Sequence, residues 1–299
     1  MKRQTSVIFY ILSIYVVLQF IWWGYHLIEL TKELDDTEQF LSKRVTMIIG
    51  EGLVFFLLLI AGLWKIQSSI RKELKLAERQ KNFLLSVTHE LKTPLAANKL
   101  FWQTLEKREL SIEQRKDLIG RALQENERLE YLIDNILDAS RIENKALQII
   151  RERILVSQLM NELLEKFSKK YPEYRFKGNI EPDIYLRSDR SLLETIIRNL
   201  IENATKYGDK AGEITLYLKC AQGSVRMGVQ DTGKGVENEQ KGLIFSKFYR
   251  SGNEETRSQK GTGLGLFIAS EFTRLLGGII VCKDNVPSGA DFEITFNHE

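Results

Sequence analysis

Of the 299 residues only two are cysteines, Cys220 and Cys282, and only four are prolines. Two thiols without metal-ligand spacing exclude a disulfide scaffold and a thiolate metal centre. Both lie in strand-like apolar stretches and are expected to be small buried hydrophobes in a reducing compartment. A dominant charge is also lacking. The net charge is +3, and no basic run is interleaved with aromatics, which argues against a nucleic-acid partner. No Gly-x-x-x-x-Gly-Lys-[Ser/Thr] segment occurs, so this is not a P-loop protein. From Lys65 to Thr93 there is neither glycine nor proline, so nothing there interrupts a long helix.

Long hydrophobic runs are present at the start. Gln4 to Ile28 contains no Asp, Glu, Lys or Arg, enough to cross a bilayer that needs about 20 residues. A cleavable signal peptide fits less well, because the apolar region is too long, carries Trp22-Trp23 and lacks a small-x-small site. A second run spans Val45 to Trp64, broken only by Glu51. Lys2 and Arg3 precede the first run, and Lys65, Arg71, Lys72, Lys75, Arg79 and Lys81 follow the second. The positive-inside rule therefore predicts a multi-pass, two-span membrane protein with both termini cytoplasmic. The expected organisation is a membrane domain over 1–67, with spans near 5–28 and 45–66 and an outside loop at 29–44. A loop of that size builds no core, so a signal must be read in the membrane, from a membrane partner or by the loop itself. Glu51, between two glycines, is either a functional intramembrane carboxylate or an interfacial one that snorkels.

Beyond Trp64, apolar residues follow a heptad seam: Leu63, Ile66, Ile70, Ala77, Leu84, Val87, Leu91. This predicts a coiled signalling helix continuing from the membrane. A second helix is expected after Ser111, an N-cap with Gln114 three residues on, as in a capping box. Its seam runs Ile119, Ala122, Asn126, Leu129, Ile133, Ile136, Ser140, widened by Leu118, Leu123, Leu132 and Leu137. A hairpin with two wide apolar faces dimerises most simply as a four-helix bundle. With Leu84 at a and Val87 at d, His89 falls at f and faces solvent. Phe83 and Leu85, apolar and off the seam, hint at a docking surface beside it. Glu90 could accept from its Nδ1–H and leave Nε2 nucleophilic. Thr93, one turn on, could orient a water, and Pro94 should loosen or kink the helix. The chemistry suits phosphoryl acceptance.

From about Ile154 the texture changes to an α+β pattern, with helices layered on one face of a mixed sheet. Strands are expected at Tyr174–Ile180, Ile184–Ser188, Glu213–Cys220, Ser224–Asp231, Ile279–Lys283 and Asp291–Phe296. Helices are expected over Ser157–Lys169, Ser191–Lys206 and Gly265–Leu276. Asn199 and Asn203 share one helix face, followed by Lys206 and Tyr207. Amide oxygens suit Mg²⁺, a lysine suits phosphate and an aromatic suits a base. Asp231 ends a strand before Gly233 and Gly235. It either accepts from an exocyclic amine or is a solvated turn residue. Gly261-Thr262-Gly263-Leu264-Gly265-Leu266 opens a helix whose free N–H groups attract phosphate. Between them, Val236 to Lys260 reads as a lid with an aromatic clasp (Phe245, Phe248, Tyr249) and a phosphate-directed Arg250.

In order and spacing these residues resemble the sensor histidine kinases of bacterial two-component systems, over about Asn82 to Phe296. The histidine box is His89 to Leu95, the asparagine box Asn199 to Tyr207, the first glycine box Asp231 to Gly235. The phenylalanine box is Phe245 to Arg250, the second glycine box Gly261 to Leu266. The resemblance implies two domains after the membrane part: a dimerisation and phosphotransfer domain over 68–148 and a Bergerat-fold ATP-binding domain over 149–299. It implies ATP and Mg²⁺ as cofactors, His89 as acceptor of the γ-phosphate and Glu90 as base. Asn203 would hold Mg²⁺ with help from Asn199. Lys206 and Arg250 would contact phosphates, Asp231 adenine, and Tyr207 would pack on it. Gly233, Gly235, Phe248, Thr262, Leu264 and Leu266 complete the implied binding set, with Gly261, Gly263 and Gly265 shaping its phosphate end. Glu90 and Thr93 match a phosphatase signature.

The implied partners are a second copy and a response-regulator receiver domain supplied in trans, since the last strand ends three residues before the C-terminus. Two features of the family are missing, an extracytoplasmic sensor domain and a HAMP-type relay. The competing reading is a degenerate kinase that binds ATP and serves as a dimeric scaffold. If the membrane helix runs rigidly into the helix of His89, inserting three or four residues near Ser68 should shift the heptad phase and reset kinase output. Unchanged output in an autophosphorylation assay would show that the linker is not a rigid helix.

Overall fold

The computed structural model describes residues 38–221, 223–250 and 262–297, and positions 11, 14–19, 21–26 and 29. Two compact units divide the chain, Met1–Glu78 and Arg79–Glu299.

In the first unit, positions 14–19 and 21–26 are helical, and the rest of the expected first span lies outside the described residues. Helix α1 (Glu38–Lys107) starts here. Among the described residues it is the one helix long and apolar enough to cross a membrane, with a stretch of mean hydropathy 1.9 that is not buried. Leu53, Phe56, Ile60, Leu63 and Trp64 are exposed along it. One carboxylate oxygen of Glu51 is buried without a partner.

In the second unit, α1 continues through Pro94 without interruption. A proline inside a helix removes one i→i−4 bond and costs about 3 kcal/mol. The bond lost is the one to the Glu90 carbonyl; the adjacent His89 carbonyl accepts from the Thr93 hydroxyl at 3.1 Å. Helix α2 (Ile112–Glu143) opens with the capping box: Gln114 N–H donates to Ser111 Oγ at 3.2 Å and Ser111 N–H to Gln114 Oε1 at 3.1 Å. The helices of this hairpin are tied by Asn98 Nδ2 donating to Asn126 Oδ1 at 3.1 Å. Leu84, Ile119, Leu123, Ile133 and Leu137 are exposed. Ala139, in contrast, joins the core of the following domain, with Ile136 packed against it. Ile136, expected on the bundle seam, is thus packed against the chain's own sheet domain.

That domain holds a two-stranded ladder and a five-stranded sheet. Strand β1 (Glu152–Leu155) pairs antiparallel with β3 (Tyr185–Ser188). The larger sheet, ordered β2-β4-β5-β7-β6, comprises β2 (Arg175–Ile180), β4 (Glu213–Ala221), β5 (Ser224–Asp231), β6 (Ile279–Asp284) and β7 (Ala290–Asn297). β2 and β4 are parallel, which requires a crossover, and the chain makes it through helix α4 (Arg190–Tyr207). The other pairs are antiparallel. Alternate residues Ile214, Leu216, Leu218 and Val225, Met227, Val229 are fully buried. They meet apolar faces of α3 (Val156–Lys170), α4 and α5 (Gly265–Leu275), so the helices cover one face of the sheet. This is the mixed-sheet architecture expected, with β1 in addition. Cys282 is buried, which pushes its thiol pKa up to about 11. Cys220, expected buried, is exposed, because β4 runs past the core in its last three residues.

Helix α4 is fixed at its start by Asp189, which accepts from Ser191 N–H at 3.0 Å and Leu192 N–H at 3.2 Å. The same carboxylate takes Ile150 N–H at 2.9 Å and so ties down the segment leaving the hairpin. Burial alone would raise its pKa. Hydrogen bonds from the Ser191 hydroxyl and the Ile150, Leu192 and Ser191 amides outweigh that and hold it below the usual carboxylate range. Asp189→Ala should therefore cost about 1–2 kcal/mol from the cap alone, read by urea denaturation. The carboxylate's stabilisation should be complete above the unfolded Asp pKa of about 3.9 and disappear as pH falls through the lower folded value. An acid limb unchanged in Asp189→Ala would contradict this.

Candidate active site

Helix α4 carries the asparagine box along one side of a cavity of about 370 Å³. Asn199, Asn203, Lys206 and Tyr207 all line it, as the i, i+4 spacing requires. Asn199 is buried and Tyr207 is half-exposed. Glu202 also reaches the cavity, while its carboxylate accepts from Lys170 Nζ at 3.0 Å and from the Tyr171 hydroxyl at 2.9 Å.

Asp231, at the end of β5, forms the opposite wall. It is buried, which raises its pKa, and the amides of Gly233 (2.8 Å) and Ala290 (3.3 Å) partly offset the shift. Gly289, which no motif singled out, makes this turn possible. Its φ is +117°, and a Cβ there would lie 1.8 Å from the Asp231 carbonyl oxygen. Gly235, Thr262, Gly263, Gly265 and Leu266 line the cavity as expected. Gly263 has φ +71° and sits against the Tyr249 carbonyl, an arrangement closed to a larger residue.

Several expected site residues fall elsewhere. Leu264 is fully buried in the core, because it is the last residue before α5 and packs inward. Gly233 acts by holding Asp231 rather than by lining the cavity. Gly261 lies outside the described residues. Phe248 is not in the cavity. It adopts φ +63° and packs its ring against Phe83 of α1 in a tilted contact, with ring centroids 4.2 Å apart. Phe83, read as part of an open docking surface, is thus covered. Beside it, Arg79 lies over the Tyr249 ring at 5.8 Å, and Arg250 Nη1 donates to Ser86 Oγ. Arg250 also lines the cavity.

The hairpin supplies the remaining wall. His89 is exposed, as its heptad phase requires. Glu90 is only 6% exposed, lines the cavity, and has its Oε1 without a hydrogen-bond partner. It therefore does not pair with the His89 ring as expected, because adjacent residues of a helix do not face each other. Tyr131, Leu132 and Asn135 of α2 line the cavity too, and the Tyr131 hydroxyl donates to Asn199 Oδ1 at 2.7 Å. Sequence reasoning missed all three. Their only signal is a Tyr-Leu-x-x-Asn cluster beside the seam, which does not reveal that a distant domain packs there.

The arrangement is a polar-ended cavity fit for an anionic nucleotide, close to an exposed histidine. Residues 188–299 match the family of histidine kinase-, DNA gyrase B- and HSP90-like ATPases, and residues 79–145 match the His Kinase A (phospho-acceptor) domain. The sensor protein CiaH of Streptococcus pneumoniae is 30% identical over 263 residues, covering 86% of this chain and 58% of CiaH. The sensor histidine kinase WalK of Bacillus subtilis is 29% identical over 229 residues, 74% of this chain and 37% of WalK. The chain thus spans little more than half the length of the first and about a third of the second. A solved structure of histidine kinase ThkA with the response regulator protein TrrA shares the fold. Its TM-score is 0.52 at 22% identity, over 77% of this chain and 65% of that one. With both domains in the order that the boxes implied, the chain belongs to the sensor histidine kinases of two-component systems.

Proposed function

We propose that this chain is a membrane-bound, homodimeric protein-histidine kinase. It transfers the γ-phosphoryl group of ATP to His89 and then to an aspartate of a separate response regulator. The observation that carries this reading is the pairing of His89 and Glu90. The first is open to solvent, and the second turns its buried carboxylate into the cavity lined by Asn199, Asn203, Lys206 and Asp231. In the transfer, the bond from the γ-phosphorus to the ADP oxygen breaks as a bond to an imidazole nitrogen of His89 forms. The protein contributes mainly position and charge.

Asp231 accepts from the adenine amine, Tyr207 packs on the ring, and Lys206 and Arg250 hold phosphate oxygens. The donors suit a magnesium ion carried in on the phosphates. They are neutral amide oxygens, first that of Asn203, and no group of three His, Cys, Asp or Glu able to hold a metal occurs among the described residues. Mg²⁺ commonly needs only one or two protein oxygens beside phosphate and water, and it neutralises charge on the transferring group. His89 stands outside the cavity, so transfer requires the ATP-binding domain to re-dock along α1. The exposed seam leucines and isoleucines support a second copy on the hairpin. The ThkA–TrrA complex supports a receiver domain as the phosphoryl acceptor. Thr93 beside Glu90 supports dephosphorylation of that partner as well. The apolar part of α1, with the uncharged run before Glu29, supports two membrane spans over 1–67, followed by domains over 68–148 and 149–299.

Incubating the full-length chain in detergent with labelled ATP should give an acid-labile label on the protein. His89→Ala should remove it while nucleotide binding remains. ATP hydrolysis with no labelled protein would sink the kinase reading, and binding with neither would leave the scaffold. Because burial raises the Asp231 pKa, nucleotide binding should weaken on acidification at a pH above that of an ordinary aspartate, about 3.9. Asp231→Asn should weaken binding about tenfold or more and abolish that pH step. A pH profile shared by wild type and variant would remove Asp231 from the adenine site.

A further inference from the structure

Asn98 and Asn126 are bound to each other across the hairpin, and no step of the functional reading above uses either. Asn98 Nδ2 donates to Asn126 Oδ1 at 3.1 Å. With Leu84 at position a of its heptad, Leu91 and Asn98 fall at a as well. On α2, Asn126 stands midway between Ile119 and Ile133 in a row spaced by seven residues. Both amides therefore occupy seam positions, where an apolar side chain is the rule. Large apolar side chains surround them, and of these Leu95, Ile119, Leu123 and Ile133 are exposed. A bond between two primary amides joins the NH₂ of one to the oxygen of the other. One oxygen and one NH₂ group are left over, whichever way round the two amides are set. The leftover oxygen is Asn98 Oδ1, which is buried without a partner. The leftover NH₂ is that of Asn126, an exposed residue. At one level of an uncovered apolar seam, the hairpin thus holds an acceptor short of a donor and a donor short of an acceptor. Such a surface complements itself, because a two-fold axis brings the donor of each copy to the acceptor of the other.

We propose that Asn98 and Asn126 form a polar layer across the dimer and that this layer decides which hairpins the chain pairs with. The NH₂ of each Asn126 donates to Asn98 Oδ1 of the second copy, so four amides close the layer. The inference rests on the homodimer reading above. A hairpin with leucine or isoleucine at these two levels offers neither donor nor acceptor, and pairing with it buries the amides of this chain unpaired. The apolar seam alone would fit any hairpin of similar period. The layer supplies the rejection that the hydrophobic surface does not. It also fixes register, since a slip of one heptad sets Asn98 against Ile119 or Ile133 of the second copy.

The test is partner choice. The full-length chain is coexpressed in two differently tagged forms and extracted in detergent, and the share of dimers carrying both tags is measured. Two wild-type forms should mix statistically. Wild type against the double variant Asn98→Leu/Asn126→Leu should give about tenfold fewer mixed dimers, the factor set by amides buried without partners. Paired with itself, the leucine variant should associate at least as tightly as wild type, because a polar layer trades stability for specificity. Damage to the fold would loosen both pairings and is told apart in that way. Asn98→Ala/Asn126→Ala, which cannot overpack the seam, should reject wild type likewise. Statistical mixing of wild type with either double variant that pairs with itself would overturn the layer, and so would loss of self-pairing by both. A wild type that stays monomeric throughout would instead overturn the homodimer reading on which the layer rests.

Discussion

Successive residues of an α-helix point about 100° apart, and the separate placing of His89 and Glu90 depends on that rotation. On the function proposed above, the histidine meets a nucleotide from one side and a receiver domain from another, and it has to stand free. A carboxylate next to it on the same helix cannot share its direction. In this chain His89 faces solvent and Glu90 is buried in the cavity wall. The two are neighbours in sequence and members of different surfaces. Any cooperation between them must come from a movement that brings the nucleotide round to the histidine, not from a standing hydrogen bond between their side chains.

The cavity is a joint product of the sheet domain and the helical hairpin. Helix α4 is positioned by Asp189 and by an apolar face packed on the sheet. Asp231 is positioned by the β5 end and by Gly289, which allows the β6–β7 turn to approach it. These are local and sheet-level constraints, and they leave one side of the site open. The open side is closed by α2, which contributes Tyr131, Leu132 and Asn135. The hydrogen bonds Tyr131–Asn199 and Arg250–Ser86, the Lys247–Glu143 ion pair and the ring contacts of Tyr131, Phe83 and Arg79 then connect the hairpin to the sheet domain. A single neutral hydrogen bond is worth about 1 kcal/mol net. Each polar contact in this interface is weak on its own, and Phe83, Ile136 and Ala139 add apolar burial to them.

What could be read from sequence follows the range of the interactions involved. The Ser111–Gln114 capping box and the Asn199–Asn203 face depend on neighbours three or four residues away, and both stand as the spacing implied. Strands with a clear period of two were legible to within a residue or two at each end. β1 was not, because four residues carry no usable period and its partner β3 arrives from 30 residues on. Within the second glycine box, residue type alone could not separate roles. Gly263 and Gly265 meet the cavity, whereas Leu264 belongs to the core. Cys220 was misjudged because an apolar strand was assumed to be covered along its whole length. The face of α2 that meets the ATP-binding domain could not be found at all, since hydrophobic spacing reveals that a surface is buried but not by what.

The lid's attachment has the same dependence on helical phase. Arg79, Phe83 and Ser86 are spaced four and three residues apart and so lie on one side of α1. They engage Tyr249, Phe248 and Arg250 respectively, consecutive residues at the stem of the lid. Phe248 is held in the left-handed region, a conformation that costs a non-glycine residue about 1–3 kcal/mol and persists only where its surroundings impose it. The tilted contact of its ring with Phe83 and the bond from its N–H to the Gly263 carbonyl, 3.2 Å, hold it here. Three contacts on a single helix face cannot be lost one at a time by rotating that helix; a turn large enough to remove one removes the others. Rotation of this stretch would release the Phe248 backbone and the Arg250 side chain together, one bordering the phosphate-end glycines and the other lining the cavity. The coupling between α1 and the nucleotide site is thus set by phase, the same property that turns His89 outward.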